Sequence, residues 1–111
     1  MSVPAVEVAG AVAELEAGAL LLDVREQNEW DAGHAPAAQH LPMGLLQTEW
    51  TSLPRDRRIV VVCRSGRRSA AVTEALVGAG LDAVNLTGGM QAWHAAGQPV
   101  VADGSAVPAV I

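Results

Sequence analysis

Ile59-Val60-Val61-Val62-Cys63-Arg64-Ser65-Gly66-Arg67-Arg68-Ser69-Ala70-Ala71-Val72-Thr73-Glu74-Ala75-Leu76 decides how this chain folds. The opening four residues are apolar and β-branched without polar alternation, the pattern of a strand covered on both faces. From Ser69 the pattern turns helical and runs to Ala79, where Gly80 stops it. Strand, short loop and helix in succession form one unit of a parallel α/β arrangement. The loop then falls at the carboxyl end of a strand, where such folds place their sites.

Working outward, the same alternation continues in both directions. Val3 to Val8 reads as a short strand, and Ala9 to Ala17 as a helix with Val12 and Leu15 on one face and Gly18 as its stop. Ala19 to Val24 is a second continuous apolar run. Glu26 to Ala32 is a short helix ended by Gly33, Ala38 to Leu41 a brief strand, and Gly44 to Trp50 a weak helical turn leading through Pro54. Beyond the central strand, Ile59 to Cys63, and its helix, Ala83 to Leu86 reads as a last strand. Gly88-Gly89 is a turn, and Met90 to Ala96 a final helix ended by Gly97. The expectation is an α/β domain with a mainly parallel sheet flanked by helices on both faces. The tail beyond Pro99 has no periodicity, which leaves disorder and packing on the domain both open.

Composition bounds the function. With 111 residues, half of them apolar, the chain has room for one domain with a real core. A single cysteine excludes an intramolecular disulfide, no apolar run approaches membrane-spanning length, and residues 1–7 lack the features of a signal peptide. A reducing, cytoplasmic setting is expected. The net charge is −5, there is no lysine, and six of the seven arginines lie between positions 55 and 68. Such asymmetry focuses positive field on a small anion. It does not supply the extended basic face and stacking platform that nucleic acid requires. Arg55, Arg57 and Arg58 fit a solvated turn before a strand at least as well as a substrate role.

The lone Cys63 has two readings. A cysteine ending a Val-rich strand is commonly an inert core residue. Arg64, Arg67 and Arg68 argue otherwise, because packing asks for no such cluster and burying it unpaired is costly. A loop curling over a helix N-terminus aims unpaired amides at one point, and Gly66 frees its backbone to do so. Ser69 is expected as the N-cap of the helix. The arginines add donors of permanent charge, so Cys63 is expected to be a reactive thiolate. His34, His40 and His94 lack companions at metal-ligand spacing, so no metal and no cofactor are expected.

Four stretches taken together resemble a family. Leu22-Asp23-Val24-Arg25-Glu26, then Glu29-Trp30 with Gly33-His34-Ala35-Pro36-Ala37-Ala38, then Cys63 to Ser69, and finally Asn85-Leu86-Thr87-Gly88-Gly89-Met90-Gln91-Ala92-Trp93, look like the successive signatures of single-domain rhodaneses. The family's usual Gly-His-Ile-Pro-Gly-Ala stands here with Ala35 and Ala37 in place of Ile and Gly. The resemblance implies a five-stranded sheet and a sulfurtransferase whose Cys63 becomes a persulfide. The main chain of Arg64, Ser65, Gly66, Arg67 and Arg68 would bind the substrate, and Arg68 would close the loop. Asp23, Arg25 and Ser69 are expected in structural support, Trp93 in packing, and His34 beside the active loop. The implied partners are a small anionic sulfur donor such as thiosulfate and a thiol or protein acceptor, with no nucleic acid and no membrane, on a monomer or weak homodimer. Residues 1–101 would form the domain and 102–111 a tail. Two other readings belong to the same fold: a phosphatase or arsenate reductase, and a non-catalytic interaction module. The related phosphatases have a cysteine, five residues and an arginine; Cys63 to Arg68 is one residue shorter.

Overall fold

The computed structural model describes residues 3–104 and 107–111. The elements in chain order are β1 (Ala5–Val6), α1 (Val8–Glu16), β2 (Leu20–Asp23), α2 (Gln27–Ala32), β3 (Gln39–His40), α3 (Leu46–Glu49), β4 (Ile59–Val62), α4 (Arg67–Gly78), β5 (Ala83–Leu86) and α5 (Gly89–Ala95). Short 3₁₀ turns, Met43–Leu45 and Trp50–Ser52, flank α3. The five strands form one sheet in the order β1-β5-β4-β2-β3, and every pairing is parallel.

The apolar runs behave as expected of strands buried on both faces. In β2, β4 and β5 every residue is buried. Successive side chains alternate between two cores, as the pleat requires. Leu20, Leu22, Ile59 and Val61 pack with Val72 and Leu76 of α4, and Leu46 and Trp50 close that side. Leu21, Val60, Val62, Val84 and Leu86 pack with Ala11 of α1 and Met90 and Trp93 of α5. Each fully buried Val or Leu contributes roughly 1.5–3 kcal/mol. Trp93 is a packing residue, its indole N–H donating to the Pro99 carbonyl at 2.9 Å.

Two details differ from the sequence reading. First, α4 begins at Arg67, two residues before the expected start, and its N-cap is Gly66 at φ 104°. Ser69 is therefore not a cap but lies within the first turn, with its side chain buried. Second, the arginines do not gather around one loop. Arg55, Arg57 and Arg58 precede β4, and Arg64, Arg67 and Arg68 follow it, so the strand holds the two groups at opposite ends. Gly33 ends α2, as expected, with an extended backbone, φ 171°. Glycine is needed there for space, because a Cβ would overlap the backbone of Ala109.

That last contact belongs to the tail, which packs on the domain. Val101 and His34 form an antiparallel bridge, exchanging N–H···O bonds of 2.9 and 2.8 Å. The Ala109 N–H donates to the Ala32 carbonyl at 2.9 Å, and Val100 and Val110 lie against the second core. No helix among the described residues is long and apolar enough to cross a membrane.

Candidate active site

The loop between β4 and α4 and the first turn of α4 are held from three directions. Beneath the loop, the N-terminus of α5 supplies amides: Met90 N–H donates to the Cys63 carbonyl at 2.7 Å and Gln91 N–H to the Arg64 carbonyl at 3.0 Å. This approach demands a glycine at 89, with φ 57°, since a Cβ there would overlap the carbonyls of Cys63 and Arg64. From β5, the Asn85 carboxamide donates to the Gly66 carbonyl at 3.1 Å. From α2, Glu29 takes both terminal nitrogens of Arg68 at 2.8 Å each, and the Glu26 N–H holds the same carboxylate at 3.0 Å.

Beside β4, β2 ends in a buried ion pair. Asp23 accepts from Arg25 through the backbone N–H, Nε and Nη2 at 2.8–3.1 Å, and both side chains are fully buried. Arg25 Nη2 also donates to the Gly33 carbonyl at 2.7 Å. The carbonyl of Arg25 accepts from His40 Nε2 at 2.7 Å. His34 and His40 both stack on Trp30, with ring centroids 3.7 and 4.7 Å away. His34 directs Nδ1 to the Trp30 carbonyl at 2.9 Å, so its side chain joins α2 and its backbone joins the tail; its hydrogen bonds do not extend to the loop.

Held in this way, the loop turns donors onto one atom. Gly66 N–H lies 3.1 Å from Cys63 Sγ and the Ser69 hydroxyl 3.2 Å from it. Burial raises the Cys63 thiol pKa, but the Ser69 hydroxyl and the amides of Ser69, Gly66 and Ser65 outweigh it, and the net shift is downward. The residue is 1% exposed. Arg64 and Ser65 of the loop and Arg67 at the start of α4 are exposed. Arg64 and Arg67 form no ion pair among the described residues. Among those residues no cluster of His, Cys, Asp and Glu is placed to hold a metal ion.

Two apolar grooves lie away from the sulfur. One, of about 410 Å³, runs between Leu46, Trp50, Leu76 and Ala79. The other, of about 310 Å³, lies between Val12, Leu15, Pro36, Trp93 and Pro99. Cys63 and its loop line neither.

Sequence reasoning gave no role to three participants: Glu29, Asn85 and the first turn of α5. Asn85 left a signal, as the one polar side chain in an otherwise apolar buried strand. The amides of α5 are marked only indirectly, by the glycine at 89 that their close approach requires.

Comparison with known proteins agrees with this arrangement. The rhodanese-like domain family model matches residues 7–96. A sulfurtransferase of Allochromatium vinosum is 42% identical over 84 residues, 75% of this chain and 78% of that protein. YtwF of Bacillus subtilis is 40% identical over 79 residues, 71% of this chain and 77% of that one. The crystal structure of a rhodanese-related protein from Thermoplasma volcanium superposes with a TM-score of 0.83 at 36% identity, covering 88% of this chain and 97% of that one. With an all-parallel five-stranded sheet and a cysteine loop at its centre, the chain belongs to the rhodanese-like domain family.

Proposed function

We propose that this chain is a sulfurtransferase that carries a sulfane sulfur as a Cys63 persulfide, taking it from thiosulfate or a similar anionic donor and passing it to a thiophilic acceptor. The observation that carries the reading is the convergence of the Ser65, Gly66 and Ser69 amides and the Ser69 hydroxyl on one sulfur atom. The family and its relatives named sulfurtransferases support the reaction class.

In the first half reaction the Cys63 thiolate attacks the terminal sulfur of thiosulfate. The new S–S bond forms as the donor's S–S bond breaks, and sulfite leaves with the electron pair. Arg64 and Arg67, exposed and free of carboxylates, meet the donor's charge. The loop amides offset the charge carried by the outer persulfide sulfur. In the second half an acceptor, cyanide in an assay or a cellular thiol, attacks that outer sulfur and the Cys63 thiolate departs. A low-pKa thiolate is a good leaving group, so one environment serves both halves. Arg68, committed to Glu29, acts as a brace for the loop. Asp23 and Arg25 buttress the strand end on which the loop stands.

The burial of Cys63 favours sulfur over phosphate. A cysteine 1% exposed is reached by a single terminal atom more readily than by a tetrahedral ester, and the loop is one residue shorter than the phosphatase cradle. Residues 1–101 form the catalytic unit in this reading, residues 102–111 its tail, and a reducing cytoplasmic setting keeps the lone thiol usable.

The test is intact mass after incubation of the reduced protein with thiosulfate. One added sulfur atom, removed by cyanide and absent in Cys63→Ser, is the expected result. No mass gain in the absence of reductant overturns thiosulfate as donor.

A further inference from the structure

Asn85 stands where no polar side chain is needed for the fold. It lies in β5 between Val84 and Leu86, 8% exposed, and its carboxamide is engaged at both ends by the active loop. Nδ2 donates to the Gly66 carbonyl at 3.1 Å, while Oδ1 lies 2.6 Å from Ser69 Oγ. The first bond fixes the orientation of the amide, because a flip would set Oδ1 against the Gly66 carbonyl. Ser69 has one hydroxyl proton and two acceptors in reach, Asn85 Oδ1 at 2.6 Å and Cys63 Sγ at 3.2 Å. It serves one of them fully at a time.

We propose that Asn85 is a positioning residue for the sulfur chemistry of Cys63: it holds the Ser69 hydroxyl proton while the inner sulfur is neutral and yields it when that sulfur becomes a thiolate. The proposal rests on the persulfide cycle above. A thiolate is a stronger acceptor than a neutral carbonyl, so the hydroxyl turns to Sγ when charge arrives there. In the persulfide the inner sulfur is neutral and the charge resides on the outer atom, and the hydroxyl returns to Oδ1. In the second half reaction the proton swings back to the departing thiolate, and no covalent bond to Asn85 or Ser69 forms or breaks. Asn85 thereby sets how much of the hydroxyl's donor strength reaches the resting thiolate.

The charged groups nearest Cys63 in the fold are Arg64 of the loop, Arg67 and Arg68 at the start of α4 with Glu29 of α2 bound to Arg68, and the buried Asp23–Arg25 pair at the end of β2. The nearby residues of β5 and of the first turn of α5, Asn85, Thr87, Met90 and Gln91, are neutral. A neutral replacement of Asn85 therefore changes the competition for the proton without changing the local charge.

The experiment is the pH dependence of Cys63 alkylation by iodoacetamide in the full chain, which reads the thiol pKa without sulfur transfer. Asn85→Leu leaves the hydroxyl one acceptor, so the thiol pKa falls and the thiolate fraction at neutral pH rises about fivefold, the worth of one neutral hydrogen bond. In a Ser69→Ala background the same substitution moves the pKa little. A passive brace predicts the opposite sign, since a loosened Gly66 amide serves the thiolate less well. A pKa that rises or stays put in Asn85→Leu, or an equal shift with and without Ser69, overturns the proposal. Should Asn85→Leu fail to fold, Asn85→Asp gives the second reading: its carboxylate grips the hydroxyl and raises the pKa, by less than half as much in Ser69→Ala, and an undiminished rise there overturns the proposal. If the titrations behave as expected but thiosulfate adds no sulfur, the donor assignment fails and the Asn85 relay stands.

Discussion

The two ends of β4 carry the same residue type in equal number, three arginines before Ile59 and three after Val62, and they use them differently. At the amino end, Arg58 meets Asp82 at 3.2 Å and Glu14 at 3.4 Å, Arg57 donates to the Gly18 carbonyl at 3.4 Å, and Arg55 lies over Trp50. At the carboxyl end, Arg68 is locked on Glu29 while Arg64 and Arg67 stand unpaired among the described residues. The sheet explains the contrast. In a parallel α/β unit helices finish beside the amino ends of strands, where carbonyls are exposed and a cation is welcome. They begin beside the carboxyl ends, where amides are exposed and a further cation adds to a field already positive. Arginine at one end neutralises; at the other it accumulates, and the sulfur sits where it accumulates.

The sharpest way to break this comparison is to remove one arginine from each end. Arg25→Leu leaves Asp23 as a buried, unpaired charge at the carboxyl end, and the expected loss is about 3–5 kcal/mol in urea unfolding. Arg58→Leu, whose side chain is 40% exposed, should cost about 1 kcal/mol or less. Equal losses would end the distinction between a buried scaffold and a solvated rim. Next in size is Gly89→Ala, which sets a methyl against the carbonyls of Cys63 and Arg64 at φ 57°. It should lower stability by about 1–3 kcal/mol and slow alkylation of Cys63 as the loop is displaced. A smaller, kinetic effect separates the exposed arginines. Neutralising Arg64 and Arg67 together as Gln should raise KM for thiosulfate roughly tenfold and flatten its salt dependence. The same change at Arg55 and Arg57 should leave KM within about twofold.

The smallest effect is an acid one. Arg68 holds the Glu29 carboxyl down from 4.5 to about 2. A carboxylate depressed in the folded state stabilises above its unfolded pKa, and that stability is lost as pH falls from about 4.5 through about 2. Because Arg68 is 35% exposed, the discounted contribution is about 1 kcal/mol. The gap in melting temperature between the parent and Glu29→Gln should be full at pH 6 and vanish near pH 2; a gap independent of pH would remove the ion pair from the account.

How much of this was legible in the sequence depends on the kind of interaction. The strands declared themselves, because residues buried on two faces must be apolar throughout, as in Leu20–Leu22 and Ile59–Val62. The cysteine loop did so as well, since Arg64, Gly66, Arg67 and Arg68 have no packing reason to cluster there. The start of α4 was misplaced because Ser69 has the chemistry of a cap, whereas Gly66 in the left-handed region ends the loop earlier and turns Ser69 inward toward the sulfur. The pairing of Arg68 with Glu29 spans 39 positions, and nothing local marks it.

The parallel pairing of β1 with β5 has a consequence in time. Ala5 lies against Asn85, so the two partners stand 80 positions apart. At roughly 5–20 residues per second of synthesis, the later strand leaves the ribosome on the order of ten seconds after the earlier one. The strand that closes the sheet also carries the side chain that holds Gly66 and Ser69 in place. A nascent chain therefore leaves Cys63 open to the surrounding solution until the final strand docks, and only the completed sheet buries it to 1% exposure.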